Sequence, residues 1–303
     1  MQYYTVALPN DALALADFVA ACDADFEKRM DAVAERTAAV QDLKFLGLTG
    51  PSCAGKTTAA KKFTACLEQH GHRVHVISVD DFYYDKQILQ ERADSDPNIE
   101  IDYDSEDTID IELFAQKIES LLRGVPTEMP RFDFPSGMRV AGETLFPQTD
   151  DVFLFEGIQI LYPRINAILR GKAYRSIYIC PMSAIRMGQV CFSPNEIRLM
   201  RRLVRDFRYR ASEPDFTFYL WQSVRENEEK NIFPNAHTCD AFIDSTMPYE
   251  IGMLKPYLDE LLARIPMENR FYDEAQRLLA RLAALITVPS SYMTPNSLYK
   301  EFI

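Results

Sequence analysis

Apolar residues fall along the chain in two rhythms. Short runs rich in β-branched and aromatic side chains, each of strand length, occupy residues 44–50, 73–81, 151–158, 176–180 and 241–246. Between them, at 56–71, 108–124 and 193–211, apolar positions recur every three or four residues. A continuous apolar run reads as a strand buried on both faces, and the wider spacing reads as an amphipathic helix. Strands alternating with helices predict βαβ units, and hence an α/β fold with a mostly parallel sheet and helices on both faces. Ahead of the first strand, residues 10–40 are rich in alanine and charge with apolar positions at helical spacing, which predicts one or two helices packed on the core. Residues 249–265 and 268–286 predict a helical ending.

Composition narrows the class. With 303 residues, 47% hydrophobic and 26% charged, the chain has material for a sizeable core. A formal net charge of −12 argues against a general role on nucleic acid or an anionic membrane, where a basic footprint supplies much of the affinity. No apolar run approaches the roughly 18–20 residues that span a bilayer. The opening residues also lack the basic start and long apolar stretch of a secretion signal. A cytoplasmic protein is expected, with neither membrane nor nucleic acid as partner; a homo-oligomer is left open. The six cysteines are scattered without a CxxC pair and are expected as reduced thiols. Only four histidines occur, so a Cys/His metal site has little material to use.

The stretch GPSCAGKTT, residues 50–58, changes the picture. It carries Gly50, Gly55, Lys56 and Thr57 in the spacing GxxxxGK[ST], after an apolar strand and before an amphipathic helix. Glycines let this backbone fold into a nest whose N–H groups face phosphate oxygens, and the helix N-terminus adds partial positive charge. Gly50, Pro51, Ser52, Cys53, Ala54, Gly55, Lys56, Thr57 and Thr58 are therefore expected to hold the phosphates of ATP. In this arrangement Lys56 reaches the outer phosphates and the Thr57 hydroxyl sits on Mg2+.

A phosphate loop alone does not choose among kinases, GTPases and motor ATPases. No NKxD base-reading signature is present. The run 151–155 ends in Glu156-Gly157, and the run 74–78 leads into Asp80 and Asp81. Carboxylates at the C-terminal ends of strands lie beside the ligand crevice of an open α/β sheet. There Glu156 can hold magnesium; successive side chains of an extended strand point to opposite faces, so only one of Asp80 and Asp81 is expected to face the phosphates, where it can orient an acceptor hydroxyl and take its proton late. At its reference pKa of about 3.9 such an Asp is ionised. The basic segment carrying Arg198, Arg201, Arg202, Arg205, Arg208 and Arg210 reads as a helical lid that closes on triphosphate oxygens and excludes water. A nucleic-acid patch or a salt-bridged helix is the alternative.

Together these residues resemble the uridine kinase and phosphoribulokinase family of P-loop kinases. The chain looks most like bacterial uridine-kinase-like proteins whose kinase domain often follows tRNA-synthetase-like modules. The matching stretches include ISVDDFYYD, MPRFDFPSGMR, FLFEGIQIL and the closing NSLYKEFI. The resemblance implies a P-loop NTPase fold with a helical extension over 1–40, a kinase domain over 41–258 and a C-terminal helical segment over 259–303. It implies Asp80 as the base, with Thr57, Asp80 and Glu156 around magnesium. It also implies Asp104 and Arg202 near the sugar hydroxyls, Tyr83, Phe132 and Arg139 around the acceptor, and Arg205 and Arg210 on phosphate. Two departures stand out: Gly137 and Phe132 replace the His and Tyr of uridine-cytidine kinases, and Ala211 follows Arg210 where a second lid arginine is usual.

The resulting expectation is a kinase, with Asp80, Lys56 and Arg205 as catalytic groups, that moves the ATP γ-phosphate to the 5′-hydroxyl of a ribonucleoside, uridine or cytidine by default. Another small-molecule alcohol such as a different nucleoside, a sugar phosphate or pantothenate is the alternative acceptor. A nucleotide-binding regulator is the non-catalytic alternative.

Overall fold

The structure is a computed structural model that describes residues 2–95 and 105–303; Asp104 lies outside the described residues. Strand β1 (Tyr3–Thr5) and helix α1 (Ala12–Ala38) precede β2 (Phe45–Thr49), α2 (Lys56–Gln69), β3 (Arg73–Ser78), α3 (Lys86–Ser95) and α4 (Ile111–Leu122). The strands β4 (Thr127–Asp133) and β5 (Met138–Leu145) follow, then β6 (Asp151–Glu156), α5 (Pro163–Leu169), β7 (Tyr174–Cys180), β8 (Ala184–Met187) and β9 (Val190–Phe192). Helices α6 (Pro194–Arg210), α7 (Pro214–Asn227) and α8 (Phe233–Ala236), strand β10 (Ala241–Asp244), and helices α9 (Glu250–Ala263) and α10 (Tyr272–Ala283) complete the order.

Five parallel strands in the order β10-β7-β2-β6-β3 form the central sheet, one for each apolar run in the sequence. The inner strands β7, β2 and β6 are buried on both faces, as β6 illustrates, whereas the edge strands β3 and β10 keep exposed apolar positions at Val76 and Phe242. In β6, Val152 and Leu154 enter a core layer with α1, α2, α6 and α9, while Phe153 and Phe155 enter a second layer with α4 and α5. Successive side chains of a strand leave on opposite faces, so both faces must be apolar.

Register decides where the loops meet. Leu48 of β2 and Ser78 of β3 both pair with Glu156 of β6, so the three strands end level. The segments that leave these ends converge at the carboxyl edge of the sheet.

Of the one or two helices expected over residues 10–40, a single one forms, α1, whose N-cap Asp11 accepts from Ala14 N at 2.9 Å. Other elements differ from expectation. Strand β1 pairs in parallel with β8 in a separate three-stranded sheet completed by β9. Helix α9 runs through residue 258, and its core residues share one cluster with those of α1, α2 and α6. Past Ala283 the helical ending gives way to 3-10 turns, Ser290–Tyr292 and Leu298–Glu301. Pro289 and Pro295 lie in this stretch, where the missing N–H and fixed φ disfavour a continuing helix. All six cysteines are free. No helix among the described residues is long and apolar enough to cross a membrane.

Candidate active site

The phosphate loop leaves β2 under close steric control. A Cβ on Gly50 would lie 2.0 Å from the carbonyl oxygen of Ile179, and Gly55 has φ +99°, a left-handed conformation that glycine adopts without strain. Cys53 adopts φ +59° although it is not glycine. Three consecutive carbonyls of the loop are held from beneath. Arg198 Nε donates to Ser52 O at 3.0 Å, Arg201 Nη1 to Cys53 O at 3.2 Å, and Ser245 Oγ to Ala54 O at 2.7 Å. In a trans peptide the following N–H points opposite to the carbonyl. Pinning these oxygens downward therefore turns the N–H groups of Cys53, Ala54 and Gly55 toward the other side, the geometry of an anion nest.

Above the loop lies a cavity of about 420 Å³ whose wall includes Ser52, Cys53, Lys56, Thr57, Asp80, Tyr83, Glu156 and Gly157. Residues from three distant parts of the sequence thus share one space. Asp80 reaches it from a 3-10 turn, Val79–Phe82, in which Ser78 Oγ accepts from Asp80 N at 3.2 Å. The strand alternation expected for Asp80 and Asp81 is replaced by this turn, with the same separation of the two acids. Asp81 faces the β4–β5 hairpin, where it accepts from Phe132 N at 2.9 Å.

Burial pushes the Asp80 carboxyl above its ordinary value, although a hydrogen bond from Gln159 and the charges of Lys56 and Arg210 pull the other way. This revises the expectation of an ordinary Asp pKa. Glu156 is raised as well, chiefly by burial, with Lys56 opposing and Asp80 and Glu301 adding to the rise. Two crowded carboxyls beside an exposed threonine hydroxyl make a set of oxygen donors suited to a hard divalent cation.

The arginines of α6 divide into two groups. Arg198 and Arg201 are wholly buried and belong to the frame under the loop. Arg198 is ion-paired with Glu228, and Arg201 with Glu250, at 2.8 Å from Nε and 3.1 Å from Nη2. Arg202, Arg205 and Arg210 line the cavity and gather on Asp206. Arg205 Nη2 lies 2.6 Å from Asp206 Oδ1, and Arg202 Nη1 also donates to Ser52 Oγ at 3.2 Å. Arg208 turns away and stacks on Tyr257 at 5.3 Å. A helix repeat of 3.6 residues distributes consecutive arginines around the axis, so one basic run serves both as frame and as cavity wall.

Of the three residues expected around an acceptor, Tyr83 lines the cavity, but Phe132 and Arg139 stand one layer behind it. Phe132 packs edge-on against Tyr83 with ring centroids 5.5 Å apart. Arg139 gives its guanidinium to Asp110 at 3.0 Å and its backbone N–H to Asp85 at 2.6 Å. Gly137 is a turn residue with φ +69°, where an added Cβ would meet the Lys86 side chain at 2.5 Å. Thr58 directs its N–H and hydroxyl to Glu301.

Three further wall residues have no role legible in the sequence, although Gln159 and Glu301 fall inside stretches that carry the resemblance. Gln159 lies in the apolar run after Glu156; its Nε2 donates to Asp80 Oδ1 at 2.6 Å and to the Tyr83 hydroxyl at 2.9 Å. Glu228 opens a π-helical turn, Glu228–Ile232, a widened geometry that often accompanies functional sites. Glu301 arrives from the opposite end of the sequence.

Comparison with known proteins places this geometry. Residues 45–251 match the model of the phosphoribulokinase / uridine kinase family. A uridine kinase of Deinococcus deserti is 28% identical over 222 residues, covering 73% of this chain and 94% of that protein. A uridine kinase of Staphylococcus carnosus is 30% identical over 200 residues, covering 65% and 85%. Among solved structures, a possible uridine kinase from Bacillus stearothermophilus superposes with a TM-score of 0.48 at 17% identity, over 73% of this chain and 100% of that one. With two-thirds of its length inside the family match, the phosphate loop included, the chain belongs to the phosphoribulokinase / uridine kinase family of ATP-dependent kinases.

Proposed function

We propose that the protein transfers the γ-phosphate of ATP to the 5′-hydroxyl of a ribonucleoside, uridine or cytidine by default. The observation that carries this reading is the convergence of Lys56, Asp80 and Glu156 on one cavity also lined by Arg202, Arg205, Arg210 and Tyr83. The loop N–H groups and Lys56 bind the phosphate chain. Asp80 accepts a hydrogen bond from the attacking hydroxyl, orients it in line with the γ-phosphorus and takes its proton as the new P–O bond forms. The bond from phosphorus to the β-phosphate oxygen breaks as ADP departs. Gln159 holds Asp80 in that orientation. Arg202, Arg205 and Arg210 offset charge on the transferring group and keep water out. The Thr57 hydroxyl with the Asp80 and Glu156 carboxylates would hold Mg2+, which neutralises phosphate charge when bound.

The raised pKa of Asp80 fits a proton acceptor better than a solvated surface acid does. Asp80→Asn is expected to retain ATP affinity and lose about 10²–10⁴-fold in turnover. A variant within a few-fold of wild-type turnover would remove Asp80 from the chemistry.

A second reading keeps the chemistry and changes the acceptor. The residue that replaces the base-reading His, Gly137, is consumed by a hairpin turn against Lys86. This favours an acceptor other than uridine or cytidine, including a different nucleoside, a sugar phosphate or pantothenate. Screening alcohols by ADP release separates the two readings: strong turnover with uridine or cytidine supports the first, and turnover only with another alcohol supports the second.

A further inference from the structure

The N-cap of helix α2 is Gly55, which has no side chain to cap it. One backbone donor of the helix's first turn, Thr58 N, is met instead from the last segment of the sequence. Glu301 Oε2 accepts from Thr58 N at 3.2 Å and from Thr58 Oγ1 at 3.1 Å, across 243 positions of sequence.

This contact is built rather than incidental. Leu298 and Tyr299 are wholly buried. Leu298 Cδ1 lies so close to the loop that a Cβ on Gly55 would come within 2.5 Å of it. The Tyr299 hydroxyl donates to Glu250 and accepts from Arg201 Nε at 3.3 Å, and Arg201 is the same arginine that holds Cys53 O. The turn Leu298–Glu301 is thereby fixed to the frame of the phosphate loop, and Glu301 itself forms part of the cavity wall beside Lys56 and Thr57.

A phosphate loop offers an anion the N–H groups at the start of its helix, and Thr58 supplies one such N–H together with a hydroxyl. A nucleotide phosphate and the Glu301 carboxylate cannot both accept from this pair, and two anions that close repel each other in a partly enclosed site. We propose that Glu301 is an internal competitor for the donor nucleotide: its carboxylate occupies the inner phosphate position of the loop and must leave before ATP seats fully. This inference rests on the reading that the loop binds ATP. It adds that the resting site is closed by the chain's own anion, and that ATP affinity is set by how firmly the tail holds.

Titration calorimetry with ATP on the full chain tests it. Glu301→Gln keeps the size and the ability to accept from Thr58 but removes the charge; it is expected to tighten ATP binding about tenfold. Unchanged or weaker binding would overturn the proposal. Lys56→Ala serves as the parallel arm. If that variant binds ATP like the wild type, the ATP reading itself fails. If it loses ATP while Glu301→Gln matches wild type, only the competitor role fails. Hydrogen exchange of residues 296–303 in the wild-type protein gives a readout that does not depend on any variant folding. Saturating ATP is expected to speed exchange there by about tenfold, and equal or slower exchange would count against release of the tail.

Discussion

The two walls of the cavity are held in different ways. The donor wall, made by the phosphate loop and α6, is tied into the centre of the molecule by buried charge: Arg198 with Glu228, and Arg201 with Glu250, Ser245 and Tyr299. The wall we assign to the acceptor, made by the turn Val79–Phe82 and the β4–β5 hairpin, is held by backbone N–H groups that donate to carboxylates, Phe132 to Asp81 and Arg139 to Asp85, and by the half-buried Arg139–Asp110 ion pair. A buried ion pair costs desolvation and returns it only with near-complete hydrogen bonding, which makes its geometry intolerant of change. A peripheral hairpin with few such ties can shift by small amounts without unfolding the core. The contrast suits an enzyme whose phosphate donor is constant and whose acceptor varies within its family.

The strongest way to break this contrast is to strip the donor wall of one charge. Arg201→Met leaves Glu250 buried and unpaired, and is expected to cost about 3–5 kcal/mol of folding stability, read from the denaturant midpoint, with loss of ATP binding. A change confined to kinetics, with the midpoint unmoved, would show that the frame is not needed for the fold.

Next in size is the contact that holds Asp80, the proposed base, beside Tyr83. Gln159→Leu removes the donor to Asp80 and Tyr83. Turnover is expected to fall roughly 10–100-fold, as for loss of a group that orients a reactant, while the calorimetric ATP Kd stays within about twofold. Loss of ATP affinity in parallel would place Gln159 in the donor wall instead.

Asp81→Ala tests the acceptor wall itself. Freeing Phe132 N should raise the acceptor KM about tenfold, equivalent to roughly 1.4 kcal/mol, and leave the ATP KM alone. The reverse pattern in steady-state kinetics would dissolve the distinction between the walls.

The smallest effect is expected at the opposite edge of the sheet. Asp151 is buried there. Burial favours its neutral form, but bonds from Arg73 and Gln148 N and the charge of His75 outweigh that and hold its pKa below the ordinary range. The unfolded group titrates near 3.9 and the folded one lower. Its contribution is therefore complete above that value and is lost as pH falls toward and through the folded pKa. Asp151→Asn should flatten the acid limb of a stability–pH curve by about 1 kcal/mol, on the scale of one net hydrogen bond, and leave both KM values unchanged.

Much of this architecture was legible beforehand because it follows from short-range rules. Continuous apolar runs marked the five sheet strands, and glycines in a strand–loop–helix setting marked the phosphate site. Asp80 was separable from Asp81 in principle but by a different geometry, since a 3-10 turn rather than strand alternation splits them. The division of α6 was not legible: arginine is the residue type for both a buried ion pair and a phosphate contact, and the partners Glu228 and Glu250 become neighbours only in the folded chain. Gln159 and Glu301 fall in stretches that carry the resemblance, but their contacts with Asp80 and Thr58 form only in the folded chain, so their roles were not legible. Phe132 and Arg139 were expected at the acceptor and stand behind Tyr83, because the hairpin's register spends them on packing and on Asp110.

The left-handed Cys53 has a consequence for how the loop behaves as a mechanical part. A side chain in that conformation costs about 1–2 kcal/mol relative to the ordinary right-handed one, and glycine would relieve it. Glycine would also let the segment wander when empty. With cysteine there, the loop resembles a bent spring clipped at both ends, cocked in its receiving shape before any phosphate arrives.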